Sequence, residues 1–287
     1  MRKNTSRKVQ KNCSIELPKC WSTARRSQRL KRSDNKPKQK SEKATTTLNR
    51  SVSSLASTSS INHRGTPRIS SPCLNHFLRV YEKQLDSDLT LFAAVRRRTN
   101  AASVLYPGSD KHFAPSLVFD NVVYIDFNTK MKPFYSDPAC LQWIEDNRIL
   151  SDCHSKPLLK FINKNFNSEI GEPLESFDLL ISQSAGAVAT PCGKYLRPGG
   201  SLLVGDSHSD AKLAFVDPQY KLDGVFDPES GKFITGRSKL KEYFRASKDG
   251  KYIDAVQAHR AASLPRAKWG FKLIKEPMWY LFVKVDN

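Results

Sequence analysis

Asp206-Ser207-His208-Ser209-Asp210 gathers an imidazole, two carboxylates and two hydroxyls into five residues. A histidine between carboxylates can take a proton as a general base while an acid sets its tautomer. His208 and Asp206 are therefore the candidate catalytic residues; the plainer alternative is a polar loop in which Asp210 caps a short helix. Ser182-Gln183-Ser184 is a second polar cluster, closing an apolar run. Ser184 followed by Ala185-Gly186 has the outline of a nucleophile elbow, with His208 and Asp206 or Asp210 as triad partners, although Ser182 stands where the tight turn takes its first glycine. A third feature is Gly108 with Asp126, 18 residues on. A glycine lets backbone approach a ligand, and a carboxylate accepts from two vicinal ribose hydroxyls at a spacing of about 20 residues.

These residues need elements to hold them. Phe177 to Ser182 reads as a strand buried on both faces, Ala185 to Leu196 as a helix stopped by Pro198-Gly199-Gly200, and Ser201 to Gly205 as a second buried strand. Such a βαβ unit is right-handed, and ligands bind outside the carboxyl ends of its strands, so both polar clusters fall on one edge. Upstream, Ala102 to Tyr106 reads as strand 1, Pro107-Gly108-Ser109-Asp110 as its turn, Asn121 to Asp126 as strand 2 and Asn147 to Asp152 as strand 3. Leu74, Phe77, Leu78, Tyr81 and Leu85 recur at helical spacing, and Asp86-Ser87-Asp88 is placed to cap a second helix ending on Arg96-Arg97-Arg98. Ser136-Asp137-Pro138 and Ser155-Lys156-Pro157 each open a helix, the latter carrying Leu158, Leu159, Phe161 and Ile162. Residues 215–235 read as an inserted β-hairpin, residues 238–246 and 252–262 as helical, and Gly270 to Glu276 with Met278 to Val285 as a terminal pair of strands.

FDLLIS followed by KYLRPGGSLLV resembles strand 4, helix D and strand 5 of class I S-adenosylmethionine-dependent methyltransferases. The terminal pair of strands is similar to that family's closing hairpin, whose last strand runs antiparallel, so the resemblance spans roughly Leu74 to Asn287. It implies an α/β, Rossmann-like three-layer sandwich with a mostly parallel seven-stranded sheet, and S-adenosylmethionine as cofactor. On that pattern Tyr106, Gly108, Ser109 and Asp126 hold the cofactor, Asp152 reaches the adenine, Ser182 and Gln183 line the site, and the 215–235 insertion shapes the acceptor site. The chain departs from the pattern in carrying one glycine after strand 1 where two or three are usual. Neither Asn/Asp-Pro-Pro-Tyr nor Pro-Cys follows strand 4, and Pro191-Cys192 falls inside the next helix. The acceptor (small molecule, protein or RNA) is thus left open. A catalytically inactive methyltransferase-like binding module is the alternative reading, and a serine hydrolase using Ser184 a lesser one.

Charge separates the first 70 residues from the rest. They hold 18 Lys and Arg against Glu16, Asp34 and Glu42, which accounts for +15 of the formal +19 and leaves +4 for residues 71–287. Basic clusters such as Arg25-Arg26 and Lys31-Arg32, then the Ser/Thr-rich stretch from Ser51 to Ser60, predict a disordered tail able to attract nucleic acid or an acidic partner, to act as an import signal, or to stay solvated without a partner. Its Arg- and Ser-rich composition also keeps organelle targeting open beside nucleus or cytoplasm. Cys13, Cys20, Cys73, Cys140, Cys153 and Cys192 form no Cys-x-x-Cys pair, which predicts free thiols, an intracellular setting and no metal site. No run approaches the ~18 apolar residues of a membrane span.

Overall fold

The structure is a computed structural model, describing residues 70–149 and 156–285. The basic tail, Cys13, Cys20, Asp152 and Cys153 lie outside the described residues. The described residues open with a single helix, α1 (Pro72–Thr99), capped by the Ser71 hydroxyl, which accepts from Leu74 N at 3.1 Å, and closed by Asn100 in the left-handed region. Two helices broken at Asp86-Ser87-Asp88 are expected from the sequence, yet the helix runs through. Ser87 Oγ donates back to Gln84 O at 2.7 Å and Thr90 Oγ1 to Asp86 O at 2.8 Å, bonds a continuous helix allows. Asp88 turns inward to His112 instead of capping.

Strands β1 (Ser103–Pro107) and β2 (Asn121–Ile125) follow, then helix α2 (Pro138–Asn147), held at its start by the Asp137 carboxylate. β3 is Leu158–Ile162, in parallel register with β2 from Asn121↔Leu158 to Ile125↔Ile162. Of the strand expected over 147–152, Asn147 ends α2, Arg148 and Ile149 are in no strand, and the remainder lies outside the described residues; the helix expected from Ser155 is corrected, because its apolar run is the strand. The edge of β2 supplies the reason, since its backbone groups need a partner and Leu158 N donates to Asp120 O at 2.8 Å. A five-residue apolar run alone does not tell strand from helix.

β4 (Phe177–Gln183) and β5 (Leu196–Gly205) are parallel neighbours. Their connection is not the helix predicted from Ala185 to Leu196 but an irregular loop, one turn of helix α3 (Ala189–Cys192) and a 3-10 turn. Gly186 at φ 101° and Pro191 interrupt the helical pattern. Gly193 is also pinned, since a Cβ there would lie 2.2 Å from the Tyr220 hydroxyl oxygen. Helix α4 (Asp210–Val216), strands β6 (Tyr220–Asp227) and β7 (Lys232–Ile234), short helix α5 (Arg237–Leu240), helix α6 (Ala255–Ser263) with an Asp254–Gln257 capping box, and β8 (Trp279–Lys284) complete the order.

The sheet order is β3-β2-β1-β4-β5-β8-β6-β7. The first five strands are parallel, β8 runs antiparallel to β5, and β6 antiparallel to β8. The sheet thus has eight strands instead of seven, and β8 pairs not with 270–276 but with β6. Within residues 270–276, Leu273 instead makes an isolated antiparallel bridge to Ala246, away from β8. Alternate residues face two cores: Val104, Tyr106, Val122, Leu179 and Leu203 pack under α1 and α2, while Leu105, Val123, Leu180, Leu202 and Phe282 pack under α3, α4 and α6.

Candidate cofactor edge and the polar chain behind it

Because β1 to β5 are parallel, the loops after all five meet at one edge of the sheet. After β1, Gly108 adopts φ 65° and donates its N–H to Ile125 O at 2.7 Å; Ser109, buried, does the same at 3.2 Å. The Ser109 hydroxyl also accepts from Tyr135 Oη at 3.0 Å. After β2, the nearly buried Asp126 accepts from Asp110 N through Oδ2 (3.1 Å) and from Asn128 N through Oδ1 (2.8 Å). Its own carbonyl takes Asn163 Nδ2 from the loop after β3 at 2.8 Å. Phe127 beside it is 73% exposed. After β4, Ala185 sits against Gly108 so closely that a Cβ on the glycine would lie 2.2 Å from the alanine Cβ.

The predicted residues do not all face this edge. Tyr106 is buried; its hydroxyl donates to Gln183 Oε1 at 2.9 Å and lies 3.1 Å from His112 Nδ1. His112 Nε2 is 3.1 Å from Asp88 Oδ2. A buried chain Asp88–His112–Tyr106 therefore runs from α1 to Gln183 at the end of β4. Neither Asp88 nor His112 is found by sequence reasoning, because they belong to different elements and no motif spacing links them. Ser182 is buried too, donating to Asp210 Oδ2 at 2.5 Å, so it holds the loop instead of lining a cleft.

The Asp206–Asp210 cluster is taken apart by its surroundings. Asp206 Oδ2 is in an ion pair with buried Lys212, whose ammonium stands 4.7 Å from the centre of the Trp269 ring. His208 is exposed and bonds neither acid. Ser184 Oγ lies 3.0 Å from Ser207 Oγ, not against an imidazole. Burial pushes the Cys192 thiol up to about 12, which keeps it protonated. Among the described residues no group of three His, Cys, Asp or Glu is placed to hold a metal ion, and no helix is long and apolar enough to cross a membrane.

No family model and no curated protein matches this sequence. Solved structures do align with it. A putative S-adenosyl-L-methionine-dependent methyltransferase from Methanococcus maripaludis aligns at 16% identity over 78% of this chain and 99% of its own, with a TM-score of 0.37. An O-methyltransferase from Bacillus cereus, solved in complex with SAH, aligns at 10% identity over 57% of this chain and 88% of its own, and a putative caffeoyl-CoA O-methyltransferase from Staphylococcus aureus at 12% over 76% and 93%, both with TM-scores of 0.37. The strand order, five parallel strands continued by an antiparallel strand inserted before β6, decides the architecture. The fold is class I methyltransferase-like.

In a methyltransferase-like fold the residues at this edge can be tested against S-adenosylmethionine. The ribose side fits. Each Asp126 oxygen takes one backbone N–H and keeps lone-pair capacity for a hydroxyl, and Phe127 offers an exposed ring beside it. The crevice at Gly108 is filled by Ala185, so a longer ligand requires residues 184–188 to move. Ser184 at φ 57° and Gly186 at φ 101°, with open space around the glycine, give that segment its irregular course.

Asp210 is the strained group of the edge. Its Oδ2 accepts from Ser182, Val188 N and Ala189 N, while Oδ1 is buried with no partner among the described residues. Burial, with a smaller contribution from the Asp206 charge, raises its pKa to about 6 against the hydrogen bonds that lower it. The folded value lies above the unfolded one, so the contribution to stability is complete below about pH 4 and is lost as pH rises through about 6. Unfolding free energies of the wild type should fall by about 2 kcal/mol between pH 4 and 7 through this group, and Asp210→Asn, which keeps an acceptor for Ser182, should flatten that slope. Equal slopes in the two proteins would refute the assignment.

Proposed function

We propose that residues 71–287 form a unit that binds S-adenosylmethionine across the loops after β1, β2 and β4 and transfers its methyl group to an acceptor presented at the same edge. The observation that carries this reading is Asp126: a nearly buried carboxylate closing β2, tied to the Gly108 loop through Asp110 N and still able to accept two hydroxyls. Gly108 and Ser109 place backbone beside it, Phe127 stacks on the base, and Gln183, oriented by Tyr106, faces the reacting end. Bound there, the cofactor would supply an electrophilic methyl carbon to a lone pair of the acceptor. His208, exposed after β5, receives the acceptor's proton, and Asp206, tied to Lys212, anchors the loop that carries it.

Calorimetric titration of S-adenosylhomocysteine into the full chain tests the reading. Wild-type binding in the micromolar range, weakened about 100-fold or more in Asp126→Ala that circular dichroism shows still folded at the titration temperature, is the expected result, since two charge-assisted hydrogen bonds are lost. The Ala185 contact with Gly108 favours a second reading, a binding module of the same fold without a working cofactor cleft. A folded wild type that binds nothing would establish that second reading at the expense of the first.

A further inference from the structure

A cleft of about 380 Å³ opens at the opposite, amino-terminal edge of the sheet. Lys221 and Leu222 at the start of β6 line it, and Lys221 faces Val283, which pairs in turn with Ser201 of β5. Arg98, at the end of α1, closes one side by gripping Asp223, with Nε to Oδ2 at 2.6 Å and Nη2 to Oδ1 at 2.7 Å. That pairing neutralises the acid in the lining. Lys221, Arg237 and Lys241 remain exposed in the cleft, and none makes a side-chain hydrogen bond or ion pair among the described residues. Three like charges gathered without counter-charges repel one another, so the arrangement contributes nothing to folding and is available to an anion. The floor is aromatic. Tyr252, 43% exposed, is held by its hydroxyl bond to Lys241 O at 3.2 Å, by the Arg245 guanidinium 4.2 Å from its ring centre, and by Phe215 at 5.6 Å.

We propose that this cleft binds a nucleoside phosphate, with the phosphates on Lys221, Arg237 and Lys241 and the base against Tyr252 and Phe215. Lysine and arginine together suit a multiply charged phosphate group, and a rigid tyrosine face suits any base. S-adenosylmethionine, a net cation without phosphate, is repelled here, so this site is separate in place and in charge from the edge at Asp126. The phosphate comes either from a free nucleotide or from a nucleotide within an RNA strand.

The test is fluorescence anisotropy of N-methylanthraniloyl-ADP added to the full chain. Lys221→Glu/Arg237→Glu is expected to weaken binding about 10- to 100-fold, while Arg79→Glu/Lys83→Glu on the outer side of α1, with the same change in net charge, leaves it within about twofold. Both pairs are surface residues, so unchanged circular dichroism melts are expected and are recorded for each. Equal weakening by the two pairs would place binding in the overall field or the basic tail and overturn the proposal. So would wild-type protein that fails to bind the probe, or adenosine competing as well as ADP. Competition by a short oligoribonucleotide stronger than by ADP identifies RNA as the source of the phosphate; the reverse identifies the free nucleotide.

Discussion

Gly108→Ala is expected to cost about 3 kcal/mol of stability and to lower the melting temperature by about 6–10 °C. Two separate terms add. A residue with a Cβ at φ 65° sits in the left-handed region, at a cost of about 1–2 kcal/mol. The new Cβ would also stand 2.2 Å from Ala185 Cβ, and relieving such overpacking costs about 1–3 kcal/mol. Ala185→Gly in the same chain separates them, because it removes the clash and leaves the backbone strain. The double variant should therefore recover about half of the loss, an interaction energy readable from denaturant midpoints. A single Gly108→Ala variant within about 0.5 kcal/mol of wild type would show that residues 184–188 yield freely.

Asp88→Ala is expected to be the most destabilising change in the chain behind the site, by about 2–3 kcal/mol, the cost of a buried polar group left unsatisfied. It leaves the His112 ring, 2% exposed, without the carboxylate 3.1 Å from its Nε2, and His112 is what holds the Tyr106 hydroxyl. Asp88→Asn keeps an acceptor at the same place and should cost about 1–2 kcal/mol. Urea unfolding of the two variants checks the difference. Equal, small losses in both would mean that the ring finds other partners and that the chain does not position Gln183.

The continuous apolar runs FDLLIS and SLLVG reflect burial on both faces of a strand, a local property, and they place β4 and the second half of β5 from the sequence. The same holds for β1 and β2, with the Gly108 turn between them and Asp126 at the end of β2. LRPGG, by contrast, expected as the stop after a helix, is itself the first half of β5. Other features rest on which strand is left with an open edge. β3 is a run that suits helix or strand equally, and only β2's unpaired backbone groups made it a strand. The 220–227 segment took the edge of β8, while Leu273 of the 270–276 stretch bridges to Ala246 instead. Two helices became one because Asp88 found a partner in His112, a residue 24 positions away that no spacing rule connects to it. The candidate site divides in the same way: Gly108 and Asp126 are legible because a turn and a strand end are local, whereas the pairing of Asp206 with Lys212, and the exposure of His208, were decided by where Trp269 and the buried ammonium came to lie. Which residues stand at the sheet edge follows from the order of strands along the chain; what each one touches follows from long-range packing, which no local pattern encodes.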